Sequence, residues 1–269
     1  MTEPVISAFF KVNQGPEDYA YVLVDPLAQP APQPIPLVDT LRTELGDEAL
    51  TRILRPDLSY SLQSCPALVC LARPGESPLQ AMLDLTEEQF AADAYRCKRS
   101  ICGWLVSEQP ADAIAAHLLT LCSLPTAHGE TRFYPIFEPI RLELFWAHFA
   151  SRKNGAWWPI KHWLVPTSGG QHRRLVGDPA NNEAPPKNAS KIQEDAPLVI
   201  QLLSTWRRLL QESSSPLNTN GPLALPLPDL AAQLALEKIA EARAFGPTTP
   251  EALACDTLHL LTTCKEQRP

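Results

Sequence analysis

The sequence is unusually rich in proline. Its 269 residues include 28 prolines, about a tenth of the chain against a usual share of roughly 5%, and only 11 glycines. Because the residue before a proline is held extended, many X-Pro pairs indicate stiff rather than flexible connections. The five prolines between Pro26 and Pro36 exclude regular structure there. We therefore expect short helices and strands joined by stiff loops that are suited to gripping another chain.

Length and charge narrow the class of protein. A chain of this size forms one or two domains and can bury a core without disulfides or metal. Its 23 basic and 30 acidic residues give a net charge of −7. Nucleic acids and anionic membranes both attract positive proteins, so neither is an expected partner.

The N-terminus gives no sign of export. The segment MTEPVISAFFKVNQGPED has no basic region followed by an apolar stretch. No apolar run elsewhere approaches the ~20 residues of a membrane helix. We expect a soluble, cytoplasmic protein.

Runs of aromatic and β-branched residues alternate with helical patterns up to Val176. The predicted strands are Tyr19–Asp25, Ala67–Leu71, Ile101–Ser107, Thr131–Phe137 and Trp157–Val165. The predicted helices are Pro36–Leu45, a second one capped by Asp47 and running to Leu54, Glu87–Lys98 with a capping box at Thr86 and Gln89, one that begins at Pro110, and one that begins at Glu138–Pro139. This order predicts an α/β (α+β) lobe, residues 1–176, with a mixed sheet flanked by helices.

The character of the chain changes after Val176. Gly177–Lys191 is polar and contains prolines, which is typical of a linker. Three helices and no strand are predicted beyond it, at Asp195–Glu212, Pro228–Phe245 and Pro250–Cys264. We therefore expect a second, all-helical lobe over residues 177–269. Five side chains are predicted to be buried: Leu23, Val69, Leu105, Leu118 and Phe137.

The cysteines are best interpreted as free thiols. There are seven of them, Cys65, Cys70, Cys97, Cys102, Cys122, Cys255 and Cys264. An odd number in a cytosolic chain is typical of buried, unpaired thiols. Two C-x4-C pairs could suggest zinc, but the first runs along a predicted strand, where residues five apart point to opposite faces. No metal, disulfide or cofactor is expected.

The common catalytic signatures are absent: no nucleophile elbow, phosphate loop, dinucleotide-binding glycine motif or H-E-x-x-H. Four features remain open to two interpretations. His117 is a packed helix residue or a general base, and Glu138 complements a helix dipole or acts as an acid. The tryptophans at 146, 157, 158 and 163 form core or a stacking pocket. A stretch without acids contains Arg152, Lys153, Lys161, Arg173 and Arg174, and is either a solvated face or a docking surface for an acidic partner.

Six short segments carry a further signal through their order. They are YVLVD at Tyr21–Asp25, CPALVCL at Cys65–Leu71, GWLVS at Gly103–Ser107, HLLTLC at His117–Cys122, FYPIFEPIRL at Phe133–Leu142 and WWPIKHW at Trp157–Trp163. In this order they resemble the effector-associated adaptor (chaperone) family of bacterial type VI secretion systems. The family's arginines are replaced here by Leu119, Pro135 and Ile140, and its Asp-Pro by Glu138–Pro139. The resemblance therefore predicts that much of any charged network in the family is lost here.

The resemblance implies a cytoplasmic adaptor or chaperone without enzymatic activity. Such a protein holds one toxic effector, shields its aggregation-prone or membrane-inserting segment, and helps load it onto the VgrG spike. We expect a monomer or small oligomer with an apolar groove where the two lobes meet, lined by helix faces around Trp206 and Leu234. The predicted partner-binding residues are Glu138, Arg141, Trp157, Trp158, Trp206 and Leu234. The alternatives are a hydrolase-type enzyme that uses His117 and Glu138, and a homo-oligomeric structural component of a secretion apparatus.

Overall fold

A computed structural model describes residues 4–28, 36–94, 96, 98–149, 157–181, 185–213, 227, 231–245, 249 and 252–257. The strands are β1 (Tyr19–Val24), β2 (Leu50–Arg52), β3 (Ala67–Ala72), β4 (Ile101–Ser107), β5 (Ser123–Pro125), β6 (Thr131–Phe133), β7 (His162–Pro166) and β8 (His172–Val176). The helices are α1 (Val5–Asn13), α2 (Leu37–Leu45), α3 (Gln80–Asp93), α4 (Ala111–Cys122), α5 (Pro139–Trp146), α6 (Ala189–Ser213) and α7 (Ala231–Phe245). Residues 252–257 are also helical.

Six strands form one antiparallel sheet in the order β2-β3-β1-β4-β7-β8, and β5 pairs with β6 as a separate ribbon. The expected mixed sheet is therefore wrong. Strand–helix–strand sequences usually indicate parallel neighbours. Here α3 joins β3 to β4, which both run antiparallel to β1 and lie on either side of it, so they never pair with each other.

Helices cover both faces of the sheet. Val22 and Val69 face a core with α1, α2 and α3, whereas Leu23 and Leu105 face a core with α4 and α5. Burial on both faces explains why β1 and β4 are continuous apolar runs rather than alternating ones. The five side chains predicted to be buried have no exposed surface.

The helices that follow the sheet have a core of their own, which includes Trp206 and Ala235. Helix α5 belongs to both parts of the molecule: Phe145 packs toward the sheet, and Leu144 packs against α6 and α7. No strand occurs among the described residues beyond Val176, as predicted.

Several element boundaries differ from the prediction. The helix expected from Asp47 to Leu54 is a 3-10 turn at Asp47–Ala49 followed by β2. Helix α3 begins at Gln80, seven residues before the expected start, and Thr86 is an interior residue whose hydroxyl accepts a hydrogen bond from Trp104 Nε1. The strand expected over Thr131–Phe137 ends at Phe133.

The C-terminal boundaries also shift. The strand expected at Trp157–Val165 is β7, and β8 was not predicted. Helix α6 begins at Ala189, which places Pro197 inside it rather than at its start. Helix α7 begins at Ala231. Most of the last predicted helix lies outside the described residues.

Candidate partner-binding site

Three charged residues lie together at one end of the sheet. Two of them belong to segments that resemble the adaptor motifs, and the third lies shortly before another such segment. Asp25 directly follows β1, Lys98 lies just before β4, and Glu138 directly precedes α5. The Lys98 ammonium lies 3.3 Å from the buried Asp25 carboxylate and 3.3 Å from Glu138 Oε1. Together with Arg55 and Arg141 these residues form what we call the charged cluster.

Arg55 ties a loop to this cluster. Its guanidinium donates two hydrogen bonds to Asp57, of 3.1 and 2.7 Å, and lies 4.0 Å from Glu138 Oε1. The Arg55 Cζ atom also lies 5.3 Å from the ring centroid of Phe133 and 6.0 Å from that of Phe137, within range of cation–π attraction. The Arg55 side chain is therefore fixed between two aromatic rings and two carboxylates.

Arg141 joins the cluster to α6. Its Nε lies 3.4 Å from Glu138 Oε2, and its Nη1 donates a 2.9 Å hydrogen bond to the main-chain oxygen of Gln193. That oxygen would normally accept the N–H of residue 197, but Pro197 has none. Arg141 therefore satisfies the carbonyl that the proline leaves free.

The electrostatics differ among the cations of the cluster: burial lowers the pKa of Arg141 despite the nearby Glu138, whereas the pKa values of Lys98 and Arg55 rise. Burial lowers the pKa of Lys98, but Glu138 and Asp25 outweigh this effect, so the pKa is raised overall. Burial likewise lowers the pKa of Arg55, and the hydrogen bond from Arg55 to Asp57 contributes to a net rise. The same hydrogen bond holds the pKa of Asp57 below its usual value. Each charge is balanced by neighbours of opposite sign, as expected for a structural joint between elements.

Nothing in this cluster tests the expectation that a charged network of the family is largely lost, and that expectation stays a prediction. Leu119, Pro135 and Ile140 supply no cation, whereas Arg55 and Lys98 supply cations from other segments. Neither residue belongs to the six segments that resemble the family, so the sequence pattern did not reveal them.

An exposed apolar loop lies beside the charged cluster, between β2 and β3. Leu54, Tyr60 and Leu62 are 56%, 84% and 56% exposed, whereas Leu58 between them is buried. Two 3-10 turns, Pro56–Leu58 and Leu62–Ser64, shape this segment. We call residues 54–62 the apolar loop. Three large apolar side chains exposed within nine residues make this loop a candidate interaction surface.

The enzyme alternative requires His117 and Glu138 to act together, and in the described residues they form no hydrogen bond or ion pair with each other. His117 lies half-buried on α4. Within the described residues, the ion pairs of Glu138 go to Arg55, Lys98 and Arg141, and none of its hydrogen bonds or ion pairs goes to His117. Glu138 therefore neutralises cations in this arrangement.

The tryptophans expected to contact a partner lie mostly in cores. The Trp157 ring packs edge-on to Trp163 with 6.2 Å between centroids, and both are buried. Trp206 is 0% exposed, and its Nε1 donates a 3.1 Å hydrogen bond to Thr257. The expected open groove around Trp206 is therefore wrong, because α6 turns this side chain into the helical core. Trp158, at a turn, is half-buried and stays a predicted contact.

Leu234 packs at the border of the helical core. It is half-buried against Trp206 and its neighbours, and stays a predicted contact. Of the six predicted binding residues, only Glu138 and Arg141 lie together in the charged cluster.

No element was predicted from the sequence for the apolar loop. Leu58, Tyr60 and Leu62 alternate with polar residues as in a half-buried strand, but the structure forms 3-10 turns on either side of Tyr60 rather than a strand. The available signal was this group of large apolar residues between Pro56 and Pro66.

Three further features are membrane-spanning helices, metal sites and free cysteines in the described part of the chain. No helix there is long and apolar enough to cross a membrane. No group of three or more His, Cys, Asp or Glu side chains there could hold a metal ion. The free cysteines there are Cys65, Cys70, Cys102, Cys122 and Cys255. Cys97 and Cys264 lie outside the described residues.

Comparison with protein-family models, with curated proteins and with solved structures finds no match for this chain. The charged cluster and the apolar loop, together with the order of the sequence motifs, are therefore the observations on which a function rests. Of these, the apolar loop is the feature that offers surface to another protein.

Proposed function

We propose that this protein is an adaptor or chaperone that binds a type VI secretion effector and helps load it onto the VgrG spike. The exposed apolar loop is the observation that carries this proposal. Leu54, Tyr60 and Leu62 offer apolar surface to an apolar segment of the effector, and covering that segment would keep it from aggregating.

The charged cluster supports this role by holding the loop in place. Arg55 lies inside the loop sequence and is anchored by Asp57, Glu138 and two aromatic rings. A loop that is already ordered loses less conformational entropy on binding than a mobile one. Glu138 and Arg141 are therefore proposed as positioning residues rather than direct contacts.

The experiment is co-expression with the products of the genes that neighbour this one, each tested as a candidate toxin. The test variant carries Leu54→Asp, Tyr60→Asp and Leu62→Asp, and the control carries Val12→Asp and Leu79→Asp, which are also exposed apolar residues. We expect the test variant to recover roughly tenfold less toxin, since a few central residues dominate most interfaces. The control should recover as much toxin as the unmodified protein.

Thermal unfolding separates binding from folding. All five substituted side chains are exposed, so the melting temperature should change by only about 2 °C in either variant. Undiminished toxin recovery with the test variant would refute the role of the loop. If no neighbouring toxin depends on this protein for solubility or delivery, the adaptor proposal itself fails. If the unmodified protein forms a stable homo-oligomer and the test variant is monomeric, the result would instead favour a structural component of a secretion apparatus.

A further inference from the structure

The far edge of the sheet, opposite β2, is formed by β8. Among the described residues, β8 pairs with β7 and with no other strand. We propose that this open edge binds an extended, acidic segment of a partner protein as an additional antiparallel or parallel strand. This goes beyond the proposed function, because it adds a second docking surface of different chemistry from the apolar loop.

The hydrogen bonds to β7 define which main-chain groups are free. The N–H of Thr167 donates to Gln171 O at 2.8 Å, at the turn between the strands. Because successive strand residues direct their N–H and C=O groups to opposite edges, Arg173 and Leu175 bond to β7. The main-chain groups of His172, Arg174 and Val176 therefore point away from the sheet. Such a row of groups is a template for strand addition.

The side chains give this edge a positive character. Arg174 is exposed, and its Nη1 donates a 2.8 Å hydrogen bond to Asn13 at the end of α1. In the described part of the chain Arg174 forms no ion pair. Arg173 lies on the other face, with its Cζ 3.8 Å from the ring centroid of Trp146. Both faces of an added strand would thus meet an arginine.

The surrounding residues limit where acidic groups can bind. Lys161 is already paired with Asp18 at 3.0 Å and with Glu108 at 2.9 Å. Burial lowers the pKa of His162, and the charges of Arg174 and Lys161 lower it further. Arg174 is exposed whereas Arg173 is half-buried against Trp146, so an acidic side chain on the added strand should face Arg174.

A second copy of this chain fits the edge poorly. A two-fold symmetric antiparallel pairing centred on Arg174 places two arginines directly opposite each other, and one centred on Arg173 does the same. A pairing centred on Leu175 avoids this, but it leaves His172 beyond the paired segment. Charge therefore favours a different chain with acidic residues at alternate positions.

The test uses the whole protein labelled with nitrogen-15 and a synthetic peptide, acetyl-Thr-Glu-Val-Glu-Val-Glu-Thr-amide. We expect slower hydrogen exchange at the amides of His172, Arg174 and Val176, and little change at Arg173 and Leu175, which already bond to β7. A peptide with lysine in place of glutamate should bind at least roughly tenfold more weakly, since it sets like charges opposite Arg174.

Two substitutions at one position test the main-chain contact. Val176→Pro removes an outward N–H that the fold does not use, and should lower the affinity for the acidic peptide roughly tenfold. Val176→Ala keeps that N–H and should change the affinity less than about twofold. Arg174→Glu should reverse the preference between the acidic and basic peptides.

Four results would overturn the proposal. They are the absence of binding at about 1 mM acidic peptide, a footprint elsewhere on the protein, equal binding of both peptides, or equal affinities of the proline and alanine variants. Protection of the same amides on raising the protein concentration alone would assign the edge to a second copy. The peptide experiment uses neither a toxin nor the apolar loop. Failure of the strand-edge proposal therefore leaves the proposed adaptor function unaffected, and failure of the adaptor function leaves the strand-edge proposal unaffected.

Discussion

At the scale of single residues, buried polar groups in this protein differ in how fully they are hydrogen-bonded. Arg99 is buried, and its terminal nitrogens donate hydrogen bonds of 2.6 Å to Thr167 O and 3.4 Å to Ser168 O. At His172, the buried Nε2 is one of several side-chain atoms that have no hydrogen-bond partner among the described residues. The His172 ring packs against Phe90 and Trp104, with centroid distances of 4.2 and 5.7 Å. This environment favours the neutral imidazole.

His172 should make the stability of the protein depend on pH. Burial, assisted by the charge of Arg99, lowers its pKa to about 4. The unfolded chain, with a pKa near 6.5, binds the proton more readily, so stability present above pH ~6.5 is lost as the pH falls toward 4. At pH 5 this loss amounts to about 2 kcal/mol.

Denaturant unfolding at pH 7.5 and pH 5 measures this effect, with His172→Phe as the comparison. The phenylalanine keeps an aromatic ring against Phe90 and Trp104 but cannot titrate. The unmodified protein should therefore lose about 2 kcal/mol more than the variant between the two pH values. Equal losses in both proteins would contradict the assigned role of His172.

At the scale of helices and strands, the carbonyl that Pro197 leaves without a donor in α6 is hydrogen-bonded by a residue of another helix. A proline inside a helix normally costs ~3 kcal/mol, partly because one carbonyl loses its donor. In α6 that carbonyl belongs to Gln193, and Arg141 of α5 supplies the missing hydrogen bond at 2.9 Å. The side-chain amide of Gln193 in turn donates a 3.0 Å hydrogen bond to Arg141 O. These two hydrogen bonds link α5 to α6 at the position of the proline.

A double-mutant cycle tests this link. Arg141→Met should cost about 2 kcal/mol because it leaves the Gln193 carbonyl without a donor and removes a cation from Glu138. In the Pro197→Ala background the restored N–H can bond to that carbonyl, so the same change should cost about 1 kcal/mol less. Leu198→Ala, at an exposed neighbouring position, is the control and should leave the cost of Arg141→Met unchanged. Additive effects of the Arg141 and Pro197 changes would argue against the link.

Elements whose structure follows from a local sequence pattern could be predicted, whereas elements that depend on a distant neighbour could not. Strand β4 was predicted with its observed bounds because ICGWLVS is buried on both faces and reads as one apolar run. Helix α4 was predicted because its apolar period follows Pro110. Strand β8, with the sequence HRRLV, was missed because an edge strand with one fully buried side chain, Leu175, has no apolar pattern. Its strand structure depends on pairing with β7.

The candidate site was predicted only in part for a similar reason. Glu138 and Arg141 belong to a local motif, and the sequence singled them out. Arg55 and Lys98 reach the same cluster only through the order of the strands, which the sequence pattern left undetermined. Trp206 was expected at a surface because an amphipathic helix has one apolar face, and the pattern does not say what covers that face.

At the scale of the whole molecule, the sheet and the helical core are joined by a buried junction. The Glu143 carboxylate on α5 accepts hydrogen bonds from Ser168 N at 2.7 Å, Ser168 Oγ at 2.9 Å and Ala232 N at 3.2 Å. Ala232 lies in the first turn of α7, where a negative charge also stabilises the helix dipole. On the other side of Ser168, its carbonyl accepts hydrogen bonds from Arg99 and from Arg207 of α6. This junction should make the two parts unfold together.

Replacing Glu143 by alanine tests whether the two parts form one cooperative unit. Without the carboxylate, the Ser168 and Ala232 donors are buried with fewer partners, and we expect a loss of about 3 kcal/mol in the free energy of unfolding. In the unmodified protein the slowest amides of α6 and α7 should exchange with the same opening free energy as those of β1 and β4. In Glu143→Ala the helices should open at lower free energy than the sheet, because α7 loses its anchor first. Glu237→Ala, at an exposed position of α7, should leave both values equal. Helices that already exchange independently in the unmodified protein would show that the junction does not couple the two parts.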